Sequence, residues 1–325
     1  MQKSSGNTAQ FSESIRRKMS GEGQRGIMRC CHLFPEQKRG DCPMRRRKTA
    51  VLLVLTALLA AGFLLWGNCS LQTTETALVS PALPPAFDGL RIVELADLHG
   101  RVFGRGSRRL LAAVRRAEPD LICIDGDLFD EHTDLAMLPP LLRGLCSIAP
   151  VYYVTGNHEW RVPGLRGILA QMRACGVTVL QDDWRVLRRG EDALIVAGTD
   201  DPCGPAERKT PAELIADIRA EAGEAAFLLL LTHRNDQLPQ WSALGVQAVL
   251  AGHCHGGVVR LPFVGGLFGT DRRLFPAWDA GLYRQGETAL YVSRGLGYTN
   301  VHFRLFNRPE VAVIVLRRGS PAINS

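Results

Sequence analysis

The apolar positions of this chain follow two patterns, one continuous and one periodic. Residues 50–66 are apolar throughout except for Thr56, and they follow a polar N-terminal segment. Beyond about residue 88, short apolar runs alternate with segments in which apolar residues recur every three or four positions. A continuous run of this length is at the short end for a membrane-spanning helix, whereas the alternation indicates strands and amphipathic helices in a folded domain.

The continuous run predicts a single N-terminal membrane anchor over residues 50–67. Arg45, Arg46, Arg47 and Lys48 come directly before it, and the positive-inside rule keeps that end in the cytoplasm. The predicted location is therefore the cell membrane, with one span and an extracytoplasmic domain. A cleaved signal peptide and a buried core helix are the alternatives, but the run is longer than the usual apolar region of a cleaved signal.

The segments that flank the predicted anchor are polar. Residues 1–49 are basic, have no clear period and are predicted to be disordered. Met44 is an alternative translation start, because it opens the basic cluster in front of the anchor. Residues 68–87 contain three prolines and are interpreted as a linker. The folded domain is predicted over residues 88–320.

Period and length assign the apolar segments of this domain to strands and helices. Short apolar runs predict strands at residues 90–95, 121–124, 151–154, 194–197, 226–231, 246–250, 289–292 and 311–315. Helical spacing is present at residues 108–116 and 135–145, and in the face formed by Leu165, Ile168, Leu169 and Met172. Strands and helices alternate early and strands dominate later. This order predicts an α/β fold with two packed sheets and helices outside them.

Charge and cysteine usage exclude several classes of protein. Residues 1–49 hold 12 basic and 4 acidic residues, whereas the remainder holds 27 and 28. The net charge of +7 therefore belongs to the N-terminal segment, and a near-neutral domain argues against a nucleic-acid partner. The nine cysteines include no C-x-x-C pair, which excludes a zinc ribbon and a thioredoxin motif.

Side chains that bind metals follow five of the predicted strands. They are Asp97 and His99, Asp127 and Asp130, Asn157 and His158, His233, and His253 with His255. Loops at the carboxyl ends of strands in an α/β sheet converge on one crevice, so these side chains are expected to meet. A capped turn or an exposed loop histidine would explain any one of them alone. Five of the eight histidines lie in such loops, and this joint occurrence favours a metal site.

Five short motifs occur in the same loops: DLHG (97–100), GDLFD (126–130), GNHE (156–159), THRND (232–236) and GHCHGG (252–257). In order and approximate spacing they resemble the motif set of calcineurin-like metallophosphoesterases over about residues 88–320. The resemblance implies a four-layer α/β/β/α sandwich of two mixed sheets. With SRGLG at residues 293–297, the chain also resembles the bacterial branch of membrane-anchored phosphodiesterases.

The resemblance also implies roles for individual residues. One metal ion would be held by Asp97, His99, Asp127 and His255, and the other by Asp127, Asn157, His233 and His253. Asp127 would bridge the two ions, and a bridging water would become the hydroxide nucleophile.

Two further residues have implied catalytic roles. His158 would protonate the leaving group as general acid, and Asp130 would orient His158. A structural histidine and a helix N-cap are the respective alternatives. The mixture of carboxylate, imidazole and amide ligands suits two divalent ions such as Mn, Fe or Zn better than Mg alone.

Two positions depart from the family pattern. Cys254 lies between the paired histidines, where Thr is common, and is interpreted as a spectator. Arg234 and Asn235 replace the more usual residues after His233, which is expected to alter the contacts to phosphate. Neither change removes an implied metal ligand.

The predicted function is metal-dependent hydrolysis of phosphodiesters or phosphomonoesters. The anchor favours a lipid or envelope-related substrate, such as a UDP-diacylglucosamine-like pyrophosphate. One alternative is a catalytically silent metal-binding protein of the envelope. The absence of one of the implied metal ligands would have favoured it, but all of them are present in the sequence. The other is a soluble nucleotide phosphodiesterase, in which the apolar run is not an anchor. Oligomeric state and natural substrate do not follow from the sequence.

Overall fold

The computed structural model describes residues 43–205, 208–270, 273–298, 301 and 303–321. The predictions for residues 1–42 lie outside this part of the chain. Two compact units are present, Met1–Leu55 and Thr56–Ser325. The bounds of the helices are Pro43–Cys69 (α1), Arg108–Arg116 (α2), Leu138–Cys146 (α3), Leu165–Ala174 (α4), Pro211–Ala222 (α5) and Leu238–Ala243 (α6).

Helix α1 is the one helix of the described residues that is long and apolar enough to cross a bilayer. Its candidate span covers the 24 residues Arg46–Cys69, and almost all of this stretch is exposed. An exposed apolar helix does not fit a core helix of the domain, which would be buried. The helix begins earlier than the predicted anchor, because the basic cluster from Met44 onward is helical rather than disordered.

Fourteen strands are described. Their bounds are Gln72–Ser80 (β1), Arg91–Leu95 (β2), Leu121–Asp125 (β3), Val151–Val154 (β4), Thr178–Val179 (β5), Asp183–Arg189 (β6), Asp192–Gly198 (β7), Phe227–Thr232 (β8), Ala248–Ala251 (β9), Arg260–Leu261 (β10), Gly265–Gly266 (β11), Gly281–Gln285 (β12), Thr288–Val292 (β13) and Glu310–Arg318 (β14).

These strands form two mixed six-stranded sheets and one small hairpin. The first sheet has the order β1-β14-β2-β3-β4-β5, and the second has the order β12-β13-β9-β8-β7-β6. Strands β2, β3 and β4 run parallel in the first sheet, as do β7, β8 and β9 in the second. Strands β10 and β11 form the hairpin.

Three apolar layers hold the two sheets and their helices together. One layer lies between the sheets and includes Ile92, Leu229 and Ile314. The second joins the first sheet to α2, α3 and α4, and the third joins the second sheet to α5 and α6. The buried strands carry apolar residues on both faces, as strands covered on both sides do. The predicted four-layer α/β/β/α fold is confirmed.

The structure differs from the sequence interpretation at residues 68–87, which were expected to be a linker. Strand β1 lies there and pairs in parallel with β14 along nine positions. As an edge strand it buries one face only, so its Thr-rich sequence alternates between half-buried and exposed positions. The prolines that follow β1 masked this weak strand pattern.

Candidate metal centre

The predicted metal-binding side chains come from loops that follow strands of both sheets. The loops after β2, β3 and β4 of the first sheet carry Asp97, His99, Asp127 and Asn157. The loops after β8 and β9 of the second sheet carry His233, His253 and His255. The structure brings all seven together. The site therefore lies where the carboxyl ends of parallel strands from two packed sheets face each other.

The first group of ligand atoms contains Asp97, His99 and His255. His99 Nε2 lies 3.2 Å from His255 Nε2, and His255 Nε2 lies 3.7 Å from Asp97 Oδ1. One ligand atom from each of the three residues lies within 4.8 Å of the other two. Asp97 and His255 are buried, and Asp97 Oδ2 has no hydrogen-bond partner in the described structure.

The second group contains Asp127, His233 and His253, with Asn157 beside them. His233 Nε2 lies 3.2 Å from Asp127 Oδ2, 3.0 Å from His253 Nδ1 and 3.2 Å from Asn157 Oδ1. His233 Nδ1 lies 2.8 Å from the backbone carbonyl of Asp125. This contact orients the ring, because a proton on Nδ1 leaves Nε2 as the electron-pair donor.

The distances in both groups fit a coordinated cation. Two atoms that each lie about 2.1 Å from one ion in a tetrahedral site are roughly 3.4 Å apart. Ring nitrogens at 3.0–3.2 Å, with a carboxylate oxygen nearby, match this spacing. Imidazole with carboxylate is a donor set that suits Mn, Fe and Zn.

The ligand loops hold a strained backbone. Five ligand residues have a positive φ, between 47° and 68°: Asp97, His99, Asp127, His253 and His255. Such a conformation costs an L-residue roughly 1–2 kcal/mol. Strain of this kind persists where the surrounding structure imposes it and concentrates at functional sites.

Two glycines allow the loops after β3 and β4 to touch. A Cβ on Gly126 would lie 2.6 Å from Gly156 N, and a Cβ on Gly156 would lie 2.3 Å from Asp127 Oδ1. Gly126 also has a φ of +83°. The first glycines of GDLFD and GNHE therefore permit the close approach that brings Asp127 and Asn157 into one site.

Burial and neighbouring charges shift the pKa values of the predicted ligands, upward for some side chains and downward for others. Burial raises the pKa of Asp97 to about 6. Burial also opposes ionisation of Asp127, but His233 holds the pKa of Asp127 well below its usual range. For His233, burial lowers the pKa and Asp127 raises it, with a net rise to about 10. Burial and the charge of His233 lower the pKa of His253 to about 3.

His158 lies beside both groups and its side chain is partly exposed, at 23%. Its backbone N–H donates to Asp127 Oδ1 at 2.9 Å, and its ring packs edge-on against His99 with centroids 4.8 Å apart. Burial lowers the pKa of His158 and Asp127 opposes that shift, leaving the pKa below its usual value. The ring is thus fixed next to the ligand atoms and open to an arriving molecule.

The structure gives Asp130 a different neighbour from the one expected. Asp130 Oδ2 lies 3.3 Å from His99 Nδ1, and Asp130 Oδ1 accepts hydrogen bonds from His132 N and Thr133 Oγ1. The carboxylate near His158 Nδ1 is Glu131, at 3.6 Å. Asp130 therefore contacts His99, a predicted metal ligand, and not His158, because the turn in its own loop fixes its side chain toward His99.

Glu159 is a positioning residue that sequence reasoning missed. Its fully buried carboxylate accepts hydrogen bonds from four backbone N–H groups, those of Asp127, Leu128, Phe129 and Gly156, at 2.6–3.3 Å. Burial raises the pKa of Glu159 to about 7. These bonds join the loops after β3 and β4. The one available signal was the glutamate of GNHE itself.

Arg234 is held next to a ligand by a second buried carboxylate. Its Nε and Nη2 donate to the two oxygens of Asp201 at 2.6 and 3.1 Å. Its Nη1 lies 3.0 Å from His253 Nε2. Cys254, the other departure from the family pattern, is buried. The paired contact with Asp201 directs a guanidinium at the rim of the ligand cluster.

Comparisons of this chain with a family model and with known proteins agree on one family. Residues 90–257 match the family model described as calcineurin-like phosphoesterase. The uncharacterized metallophosphoesterase YkuE of Bacillus subtilis is 28% identical over 256 residues, which are 76% of this chain and 86% of that protein. The phosphodiesterase YaeI of Escherichia coli is 31% identical over 234 residues, 70% of this chain and 82% of that protein.

A vertebrate relative is named as a membrane protein. It is the transmembrane protein with metallophosphoesterase domain of Danio rerio, 29% identical over 285 residues. These residues are 84% of this chain but 63% of that protein, so the chain spans less than two thirds of this relative.

The hydrogen bonds of Glu159 generate a prediction about stability. The substitution Glu159→Gln keeps the size of the side chain but replaces one carboxylate oxygen by an NH₂ group. Two backbone N–H groups then face this NH₂ group and have no acceptor. We expect the free energy of unfolding to fall by about 2–4 kcal/mol. Urea unfolding of the full chain in detergent measures it, with the exposed Glu191→Gln as control. Equal stabilities of the two variants would contradict the assigned role.

Proposed function

Because this chain belongs to the calcineurin-like phosphoesterase family and is a hydrolase of ester bonds, we propose that it is a membrane-anchored, metal-dependent phosphodiesterase. The proposed substrates are lipid or envelope-related phosphate esters, of which a UDP-diacylglucosamine-like pyrophosphate is one chemical type. Two divalent ions, Mn, Fe or Zn, are the proposed cofactors.

The observation that carries the proposal is the position of Asp127 between the two ligand groups. Its Oδ2 lies 3.6 Å from His99 Nε2 on one side and 3.2 Å from His233 Nε2 on the other. Two neighbouring cations repel each other unless an anion lies between them. We assign Asp97, His99, Asp127 and His255 to one ion, and Asp127, Asn157, His233 and His253 to the other.

The ions, when bound, would activate the attacking water as hydroxide and neutralise the charge that develops on the phosphoryl oxygens. The side chains of the protein provide the remaining functions. His158 is next to the ligand groups and partly exposed, and we assign to it the proton that the leaving oxygen needs. Glu131, 3.6 Å from His158 Nδ1, supports the protonated form of this ring.

We assign the contact to the phosphate to Arg234. Its hydrogen bond to His253 Nε2 requires that this nitrogen be unprotonated, so the ring proton lies on Nδ1. If His253 held a metal ion through Nδ1, its ring proton would lie on Nε2, which would no longer accept a hydrogen bond from Arg234. Arg234 Nη1 would then be available to an anion, while Asp201 holds the other two nitrogens. A guanidinium fixed in this way is suited to phosphate oxygens.

The proposed membrane topology rests on helix α1 and the charges before it. Arg45, Arg46, Arg47 and Lys48 precede the apolar part of the helix, and positive charge next to a span favours the cytoplasmic side. The name of the Danio rerio relative supports a membrane location. We therefore propose a single span with the phosphoesterase domain outside the cytoplasmic membrane.

The first test is metal-dependent hydrolysis by the full chain in detergent. After metal removal, we expect Mn²⁺, Fe²⁺ or Zn²⁺ to restore cleavage of a chromogenic phosphodiester. Replacing Asp127→Asn removes the shared anion, so we expect activity to fall about 10²-fold or more. Elemental analysis should show fewer bound ions in this variant.

The exposed Asp236→Asn in the neighbouring loop is the matched control and should behave like the unchanged protein. A folded Asp127→Asn protein with full metal content and full activity would remove the two-metal proposal. Bound metal without hydrolysis of any phosphate ester would favour a binding protein.

The role of His158 predicts a dependence on the leaving group. A nitrophenolate leaves without being protonated, whereas an alkoxide needs an acid. We expect His158→Gln to lower kcat about 10²-fold or more for an alkyl phosphodiester and far less for a nitrophenyl one. The exposed His132→Gln serves as control. Equal losses for the two substrates would assign His158 to structure or metal binding.

The role of Arg234 predicts a change in substrate binding. Loss of a charged hydrogen bond to phosphate weakens binding by about 1.5–3 kcal/mol, so we expect Arg234→Gln to raise KM by roughly ten-fold or more. Arg234→Lys keeps the charge and should lose less. Steady-state kinetics measure both, with the exposed Arg161→Gln as control. An unchanged KM with a lower kcat would argue against a ground-state phosphate contact.

A further inference from the structure

Exposed apolar side chains of the domain are concentrated in three short segments. Outside helix α1, eleven large apolar side chains are exposed in the described structure, and eight of them lie in residues 259–268, 273–275 and 303–306. We call these three segments the apolar rim. The eight side chains are Leu261, Phe263, Val264, Phe268, Leu274, Phe275, Phe303 and Phe306. Contiguous exposed apolar surface marks a site of interaction with another phase or molecule.

Backbone hydrogen bonds connect the three segments into one ribbon. Arg260 N donates to Leu305 O at 3.0 Å, and Leu267 N donates to Val259 O at 2.8 Å. Phe275 N donates to Leu267 O at 3.0 Å, and the hairpin of β10 and β11 lies between these pairs. The eight side chains are therefore displayed by a single connected structure.

Three phenylalanines of the rim are held in an unfavourable backbone conformation. Phe263, Phe275 and Phe306 have φ values of 65°, 53° and 52°. A bulky side chain is rare in this region, and each of these three is half exposed or more. The chain therefore keeps strained aromatic residues in contact with solvent, where a glycine or asparagine would relieve the strain.

The rim has no acidic side chain. Its three segments contain Arg260, Arg273 and Arg304 and no aspartate or glutamate. Arg260 is paired with Asp279, and Arg304 is buried and donates to backbone carbonyls. Exposed aromatic and aliphatic side chains without carboxylates are suited to the interface of a bilayer.

The rim is continuous with the last turns of helix α1. The rings of Phe306 and Phe63 lie 5.4 Å apart between centroids. Asn68 joins the helix end to the rim, because its Nδ2 donates to Arg304 O at 2.9 Å and its Oδ1 accepts from Arg304 N at 2.7 Å. Trp66, a residue type common at membrane interfaces, lies under the Arg308 guanidinium at 4.5 Å.

The rim also adjoins the ligand cluster. Phe268 N donates to Gly257 O at 3.2 Å, two residues beyond His255. Asn307, directly after the rim, donates to His255 O at 2.7 Å. A surface that rests on lipid headgroups at the rim would thus bring phosphate groups of the bilayer close to the metal centre.

From these contacts we infer that the apolar rim docks on the bilayer next to helix α1, with the side chains of Phe263, Phe275 and Phe306 in the headgroup region. Apolar side chains at such an interface lie about 5–10 Å into the boundary between headgroups and acyl chains. This inference rests on the proposed membrane insertion of α1. It specifies the substrate class as amphiphiles that present a phosphate ester at the surface of the bilayer.

Tryptophan fluorescence of the full chain in vesicles tests the docking. Phe263→Trp and Phe275→Trp place reporters on the rim, and Val186→Trp places one at an exposed apolar position on β6. The vesicles contain phosphatidylcholine and phosphatidylglycerol, with or without brominated acyl chains, and the emission of the unchanged protein is subtracted. We expect the added emission at positions 263 and 275 to shift to shorter wavelength and to be quenched by bromine, most strongly near the headgroups.

The added emission at position 186 should be quenched by acrylamide in water and not by bromine. Equal exposure of positions 186, 263 and 275 to acrylamide would overturn the docking. Protection of both rim reporters from acrylamide and from bromine would also overturn it, because a second copy of the chain would then cover the rim. Thermal unfolding followed by circular dichroism verifies that each variant is folded.

Hydrolysis of a soluble chromogenic diester, measured in the same vesicles, separates this inference from the proposed function. Bromine quenching in a protein without hydrolytic activity would support the docking and count against the phosphodiesterase. Full activity without quenching would contradict the docking alone.

Discussion

The structure of the site depends on the negative charge of Asp127, which is held where water cannot solvate it. A buried carboxylate is stable only beside positive charge or hydrogen-bond donors. The imidazole of His233 and the backbone N–H of His158 surround it. Four further N–H groups converge on Glu159, which fixes the loop that carries Asp127. The conformation of the loop after β3 and the position of His158 both follow from keeping this one charge buried.

The apolar layer between the sheets keeps the predicted ligands in their relative positions. Asp97 and Asp127 belong to one sheet, whereas His233, His253 and His255 belong to the other. A relative shift of the sheets would separate the two halves of each ligand group, although it would leave each loop unchanged. Tight packing of side chains such as Leu229 and Ile314 therefore acts on the site at a distance.

The fold could be predicted from the sequence wherever strands are apolar on both faces, and the ligand loops could be predicted because they follow such strands. Strand β1 could not be predicted, because its partner β14 is more than 200 residues away in the sequence and an edge strand needs few apolar residues. The neighbour of Asp130 and the four bonds of Glu159 depend on how two loops pack, which no local pattern records. The apolar rim was missed for a similar reason: its segments are short and irregular, and only hydrogen bonds between them make one surface. The implied roles of the seven metal ligands and of His158 stay predictions, and the proximity of these side chains is what the structure adds.

The short connection between helix α1 and strand β1 has a consequence for where such an enzyme could work. Only Ser70 and Leu71 separate the helix from the strand, and Arg308 binds the backbone of both. The described residues between helix and strand form no flexible tether, so a domain anchored in this way could not sweep through a volume above the bilayer. Its search for substrate would be two-dimensional, by lateral diffusion and by rotation about the membrane normal. Turnover would then follow the surface density of substrate in the membrane and not its concentration in the surrounding solution.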